Sequence, residues 1–95
     1  MIVSGGENVA PGEDEEMLLR HPGVADAAVV GRADTEWQEA VTAVVVPVNG
    51  AGVTAEDLLS HCASGLAGYK VPKRIEFVSA LPRTASGKLM RRRLR

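Results

Sequence analysis

At 95 residues, 45% hydrophobic and 24% charged, the chain has room for one domain around one modest core and too little mass to enclose a drug-sized cleft by itself. That composition excludes a disordered tail, and with no apolar run of transmembrane length a soluble domain with no membrane span is expected. The net charge of −1 conceals an asymmetry: residues 1–69 balance at −9 and residues 70–95 at +8, a pattern that suits a nucleic-acid tail, an anion-binding surface or an end packed on an acidic neighbour.

Met1 to Val3 is apolar and breaks into Ser4-Gly5-Gly6-Glu7-Asn8, so a strand end followed by a loop is expected. Paired glycines permit either an ordinary turn or a close approach of backbone to a ligand that a Cβ would block. Met1 is not followed by a basic region and a long apolar run, so no signal peptide is expected. A helix from about Pro11 to Arg20 follows, with proline at its first position and Glu13, Asp14, Glu15 and Glu16 at the positive end of its dipole. His21 lies at the helix end, and Pro22-Gly23 stops it.

Val24 to Val30 and Ala40 to Val48 are runs of small and branched apolar residues, expected to pair as antiparallel strands across the polar stretch Arg32 to Glu39. The continuous Val44-Val45-Val46 suggests a strand covered on both faces. The only tryptophan, Trp37, falls in the connecting loop; it either folds back over the sheet edge or offers a stacking platform for a base. After the turn Pro47 to Gly52, Thr54 and Asp57 form a capping pattern for a second helix running to about Leu66. Its residues Leu58, Leu59, Cys62, Ala63 and Leu66 share one apolar face. Cys62 reads as a small buried hydrophobe, and a lone cysteine points to a reducing compartment, the cytoplasm. Tyr69 to Pro72 reads as an extended connector, Arg74 to Ser79 as a third strand, and Lys88 to Arg95 as a basic helix. The fold expected is α+β: a three-stranded, mainly antiparallel sheet with two helices packed on it, a terminal basic helix and an N-terminal glycine loop.

The residue types exclude several chemistries. Two separated histidines and one cysteine supply no metal ligand set. Gly87-Lys88-Leu89 lacks the first glycine of a P-loop and has leucine where serine or threonine would bind Mg²⁺. A nucleic-acid reading would use Lys70, Lys73, Arg74 and Arg91-Arg92-Arg93 against phosphates, but 3% aromatic content and no stacking residue in the basic stretch weaken it. A pure interaction module is a third reading.

Three stretches, SGGENVAPGE (Ser4 to Glu13), HPGVADAAVVG (His21 to Gly31) and GYKVPKRIEFVSALPRTASGK (Gly68 to Lys88), resemble in that order the C-terminal lid domain of the AMP-forming acyl-CoA synthetases, members of the adenylate-forming superfamily. The resemblance covers essentially the whole chain, residues 1–95. It implies that a large N-terminal domain, absent here together with the hinge, holds ATP, a carboxylic acid and Mg²⁺, and that this fragment alone is inactive. It implies that Lys88 is the catalytic lysine of acyl-adenylate formation, acting electrostatically. After a large rotation, Ser4, Gly5, Gly6 and Glu7 would line the tunnel by which CoA reaches the acyl-adenylate, with Asn8 nearest the adenylate and Trp37 against the CoA nucleotide. Partners would be the large domain, CoA, the acyl-adenylate and a lysine acetyltransferase acting on Lys88, with no nucleic acid. Two departures from the family pattern stand out: Asp14 occupies a position usually aliphatic, and Gln38 one usually glycine.

Overall fold

Valine and alanine, narrow side chains suited to a pleated surface buried on both sides, build the two longest strands, β3 (Val24–Asp34) and β4 (Gln38–Pro47). In this computed structural model, which describes residues 1–95, they form one antiparallel hairpin in register from Asp26↔Val46 to Asp34↔Gln38, with a bulge between Val24 and Asp26. The polar connection is shorter than its sequence suggests. Arg32 to Asp34 continue β3, and only residues 35–37 turn.

β4 is the hub of the sheet. Opposite β3 it pairs in parallel with β5 (Arg74–Phe77), from Thr42↔Arg74 to Val45↔Phe77, and at its start with β1 (Ile2–Ser4) through Gln38↔Ser4. β1 in turn folds against β2 (Glu7–Val9). The three anticipated strands are thus joined by a small hairpin where a strand end and loop were expected, and the sheet is mainly antiparallel.

Alternation along β3 and β4 turns Ala27, Val29, Val41, Ala43 and Val45 toward α1 (Pro11–Leu19) and α2 (Ala55–Ala63), where they meet Leu18, Leu58 and Cys62. A fully buried leucine such as Leu58 contributes on the order of 2–5 kcal/mol when compared with alanine. α2 begins in a reciprocal cap: the Asp57 N–H donates to Thr54 Oγ1 at 3.1 Å, and the Thr54 N–H donates to Asp57 Oδ2 at 2.9 Å. The Thr54 N–H, and then the Thr54 hydroxyl, hold the Asp57 carboxyl below its ordinary value. α2 ends at Ala63, before the expected Leu66, and Tyr69 lies in a short 3₁₀ turn, Gly68–Lys70, so extended backbone resumes only at Val71. No helix is long and apolar enough to cross a membrane.

The opposite face of the hairpin is buried too, at Ala28, Val30, Ala40, Thr42 and Val44. The C-terminal tail lies against β3. The expected basic helix is a single 3₁₀ turn, Arg91–Leu94, pinned by Arg32 Nε donating to the Leu94 carbonyl at 2.9 Å and by Arg91 gripping Glu15 of α1. Glu15 Oε2 also accepts from the Val29 N–H at 2.8 Å, closing part of the edge of β3.

Four further ion pairs join residues 1–69 to residues 70–95: Lys70 with Glu13, Arg74 with Asp34, Arg83 with Asp26 and, in the opposite sense, Arg32 with Glu76. Much of the charge asymmetry is therefore internal complementarity. One acid does not share in it. Asp14, expected among the acids at the positive end of the α1 dipole and at a position usually aliphatic, is fully buried.

Candidate functional site

The glycine loop is the two-residue turn between β1 and β2. Gly5 at φ 56° and Gly6 at φ 83° both occupy the left-handed region, the combination required by the type I′ turn that matches strand twist. A side chain at either residue would be strained. At Gly5 a Cβ would also stand 3.0 Å from Trp37 Cε3, because the indole lies against the turn and the Gly5 N–H donates to the Trp37 carbonyl at 2.8 Å. Trp37 packs over the sheet edge, as one of its two readings expected, and is 36% exposed.

The Trp37 loop is shaped by Asp34, whose Oδ1 accepts from the N–H groups of Glu36 and Trp37 at 2.8 and 3.1 Å. Those two donors, then Arg74, hold the Asp34 carboxyl below its ordinary value. On the indole sits Lys73, with Nζ 4.5 Å from the ring centroid, a cation–π geometry. Lys73 was assigned no place beside Trp37 by sequence, since 36 residues separate them; the Asp34-x-x-Trp37 spacing, by contrast, was a readable turn signal.

Around this turn Ser4 is buried with its Oγ unpartnered, while Glu7 and Asn8 are exposed on β2. Glu39 Oε1 accepts from the Val3 N–H at 2.8 Å and ties β1 to β4. Gln38, also at the junction, has φ 72°, so the departure from glycine noted in the sequence falls where glycine would be unstrained. Ser4 to Asn8, Trp37 and Lys73 form one cluster at the Asp34 end of the long hairpin.

Lys88 lies elsewhere. Residues 83–89 close a second, small hairpin: Arg83 bridges Leu89, the Thr84 N–H donates to the Lys88 carbonyl at 2.9 Å, and the Gly87 N–H donates to the Thr84 carbonyl at 2.9 Å. Gly87, at φ 88°, makes the reversal. The Lys88 N–H adds a bond to Thr84 Oγ1 at 3.1 Å. Residues 83–89 are thus a stitched turn presenting an exposed Lys88 side chain that makes no salt bridge in this chain. Its anchor is Arg83, forked onto Asp26 with contacts of 2.8 to 3.2 Å, at the start of β3. From Asp26 to Asp34 is about 26 Å at ~3.3 Å per strand residue. The two clusters therefore attach at opposite ends of one rigid hairpin. A shallow recess of about 420 Å³ beside Lys88 is lined by Thr84 and residues 89–93. No three His, Cys, Asp or Glu side chains converge anywhere in the chain.

Comparison with known proteins gives a consistent outcome. The chain is 50% identical over its whole length to a 2-succinylbenzoate–CoA ligase of Bacillus cereus and 47% identical to a feruloyl-CoA synthase of an Amycolatopsis species. The fold superimposes on a fatty acyl CoA synthetase of Mycobacterium tuberculosis with a TM-score of 0.95, at 41% identity over all of this chain. In each case the chain spans 19% of the relative's length. The model of the AMP-binding enzyme C-terminal domain matches residues 13–88, ending on Lys88, and with that match over most of its length the chain belongs to this family.

Proposed function

We propose that the chain is the lid of a larger AMP-forming acid–CoA ligase and serves its two half-reactions with two different ends. The observation that carries this reading is the separation just described, with an unpaired lysine at one end of the β3–β4 hairpin and a glycine turn with an aromatic and a cation at the other. A rigid body so arranged presents one end or the other to a single cleft, not both.

In the first half-reaction the substrate carboxylate attacks the α-phosphate of ATP; a C–O–P linkage forms and the bond to pyrophosphate breaks. Negative charge accumulates on the phosphoryl oxygens, and Lys88, an ammonium with no carboxylate to release, stabilises it in the transition state. In the second, the CoA sulfur attacks the acyl carbon and AMP departs. Gly5 and Gly6, lacking side chains, let the pantetheine arm pass close to backbone; Asn8 lies on the adjoining strand toward the adenylate, and Trp37 with Lys73 offers a stacking face and a cation to the anionic nucleotide of CoA. Mg²⁺ belongs to the larger domain in this reading. No three His, Cys, Asp or Glu side chains of this chain converge to hold a metal.

Acetylation of Lys88 by a lysine acetyltransferase would remove the charge and silence adenylation, and the exposed hairpin leaves the amine accessible. A cytoplasmic setting is part of the same proposal, supported by the lone, unpaired Cys62. The test is Lys88→Ala in the full-length ligase: acyl-adenylate formation, followed by pyrophosphate release, should fall about 10²–10³-fold, the scale of losing one transition-state donor. Thioester formation from supplied acyl-adenylate should be retained. Equal loss in both half-reactions, or none in the first, overturns the assignment.

A further inference from the structure

Among the twelve acidic residues, Asp14 alone is fully buried, and neither carboxylate oxygen has a hydrogen-bond partner. It stands four residues before Leu18 on α1 and so shares the face that packs on the core. A carboxylate has two acceptor oxygens that strongly prefer donors, and removing the anion from water without them is severely unfavourable. A neutral carboxyl at the same place loses far less.

The groups around it sharpen this preference. On its own helix Glu13 and Glu15 are like charges that oppose ionisation. From α2 comes the Cys62 thiol, a weak donor at best, with the His61 ring turned to the Met17 carbonyl at 2.6 Å. Ala27 and Val29 of the facing strand are apolar. From the tail, Arg91 is committed to Glu15. The one nearby cation is Lys70 of the 3₁₀ turn, and its ammonium is held by Glu13 at 2.8 Å. Burial first, and then Glu13, raise the Asp14 carboxyl from an ordinary 3.8 to about 7.

We infer that Asp14 is a proton-operated latch: neutral, it seals the first turn of α1 against the core, and ionised, it drives that turn outward toward water and Lys70. The turn follows β2 directly through Ala10, and the 3₁₀ turn bearing Lys70 also packs on β2. Release therefore loosens the strand that carries one side of the glycine turn. This last consequence for CoA handling rests on the proposed function; the latch itself does not.

The linkage has a definite sign. Because the folded carboxyl binds its proton more tightly than the unfolded one, stability is greatest at low pH with respect to this group and falls as pH rises from about 4 to about 7. The experiment is urea unfolding of the 95-residue chain at pH 5, 6, 7 and 8, beside Asp14→Val and Asp14→Asn. Between pH 5 and pH 7 the folding constant of the unaltered chain should drop roughly fiftyfold more than that of Asp14→Val, with the slope flattening as the folded carboxyl titrates near pH 7. Asp14→Asn, which keeps the shape but cannot ionise, should also lack this component if the valine variant fails to fold. Amide hydrogen exchange at residues 15–18, compared between variants at the same pH, should be faster at pH 8 in the unaltered chain than in either variant. Parallel pH profiles for the unaltered chain and a folded variant, or equal exchange, overturn the latch without touching the assignment of Lys88.

Discussion

Alanine at Gly5 and alanine at Gly6 should have separable effects. Both residues have positive φ, 56° and 83°, where an L side chain costs about 1–2 kcal/mol, partly offset by the smaller freedom of the unfolded chain. Gly6→Ala meets nothing within 4 Å, so its cost is that strain alone, about 1 kcal/mol. At Gly5 the new methyl would stand 3.0 Å from Trp37 Cε3 and 3.2 Å from Cζ3, and the indole must retreat by a few tenths of an ångström. The ring cannot simply follow its backbone, because Asp34 Oδ1 holds the Trp37 N–H at 3.1 Å. Overpacking of this kind adds about 1 kcal/mol, the low end of its range, since one side of the indole is open to solvent. Urea midpoints should therefore fall by roughly 1–2 M for Gly5→Ala and about half that for Gly6→Ala, taking ~1–1.5 kcal/mol per molar for a domain of this size. Trp37 is the sole tryptophan, so native-state emission reports on this contact alone. Gly5→Ala should shift it and Gly6→Ala should not. An unshifted spectrum with equal stability loss in both variants would refute the packing of Trp37 on the turn.

Gln38, at φ 72°, gives the converse case: Gln38→Gly should relieve about 1–2 kcal/mol of strain against ~0.5–1 kcal/mol of added unfolded-chain entropy. Calorimetry should show a melting temperature raised by a few degrees, and a lowered one would mean the Gln38 side chain compensates its backbone. Cys62 is buried, and burial, followed by the charge of Asp14, pushes its thiol up to about 11. Its reaction with a disulfide reagent at pH 8 should be at least about a hundredfold slower in the folded chain than in guanidinium, because only the thiolate reacts; similar rates would place the thiol outside the core.

What could be read in the sequence was local. Thr54 and Asp57 cap α2 through atoms three residues apart, and the valine-rich runs pair because almost any register buries them. The tail was misread for a related reason: Lys88 to Arg95 has helix-favouring composition, but Lys88 and Leu89 are consumed by the Arg83–Leu89 hairpin. Tertiary contacts of Arg91 and Leu94 then select a 3₁₀ turn. Asp14 carried a signal that was outweighed. Acids in a first turn normally favour the helix dipole, yet its spacing of four from Leu18 already placed it on the inner face. Lys73 beside Trp37 had no sequence signal, since parallel pairing of β5 with β4 brings them together.

The distribution of charge ties the fold to the proposed division of labour. Of the nine basic residues after position 69, Lys70, Arg74, Arg83 and Arg91 meet carboxylates of the acidic part. Pairs as exposed as these contribute little stability, commonly under about 1 kcal/mol each, so their main effect is placement. Arg83 fixes the turn that carries Lys88, Arg74 braces the aspartate that shapes the Trp37 loop, and Arg91 holds the tail on β3. The cations without a carboxylate are Lys73, at the glycine turn, Lys88 with Arg92 and Arg93 around its recess, and Arg95, which lines a separate recess with Gly31 and Glu39. A nucleic-acid surface would leave its cations free along one continuous face. Here the paired cations act as fasteners, and the free Lys73 and Lys88 stand at opposite ends of one hairpin, as expected where anionic ligands are met at two separate stations.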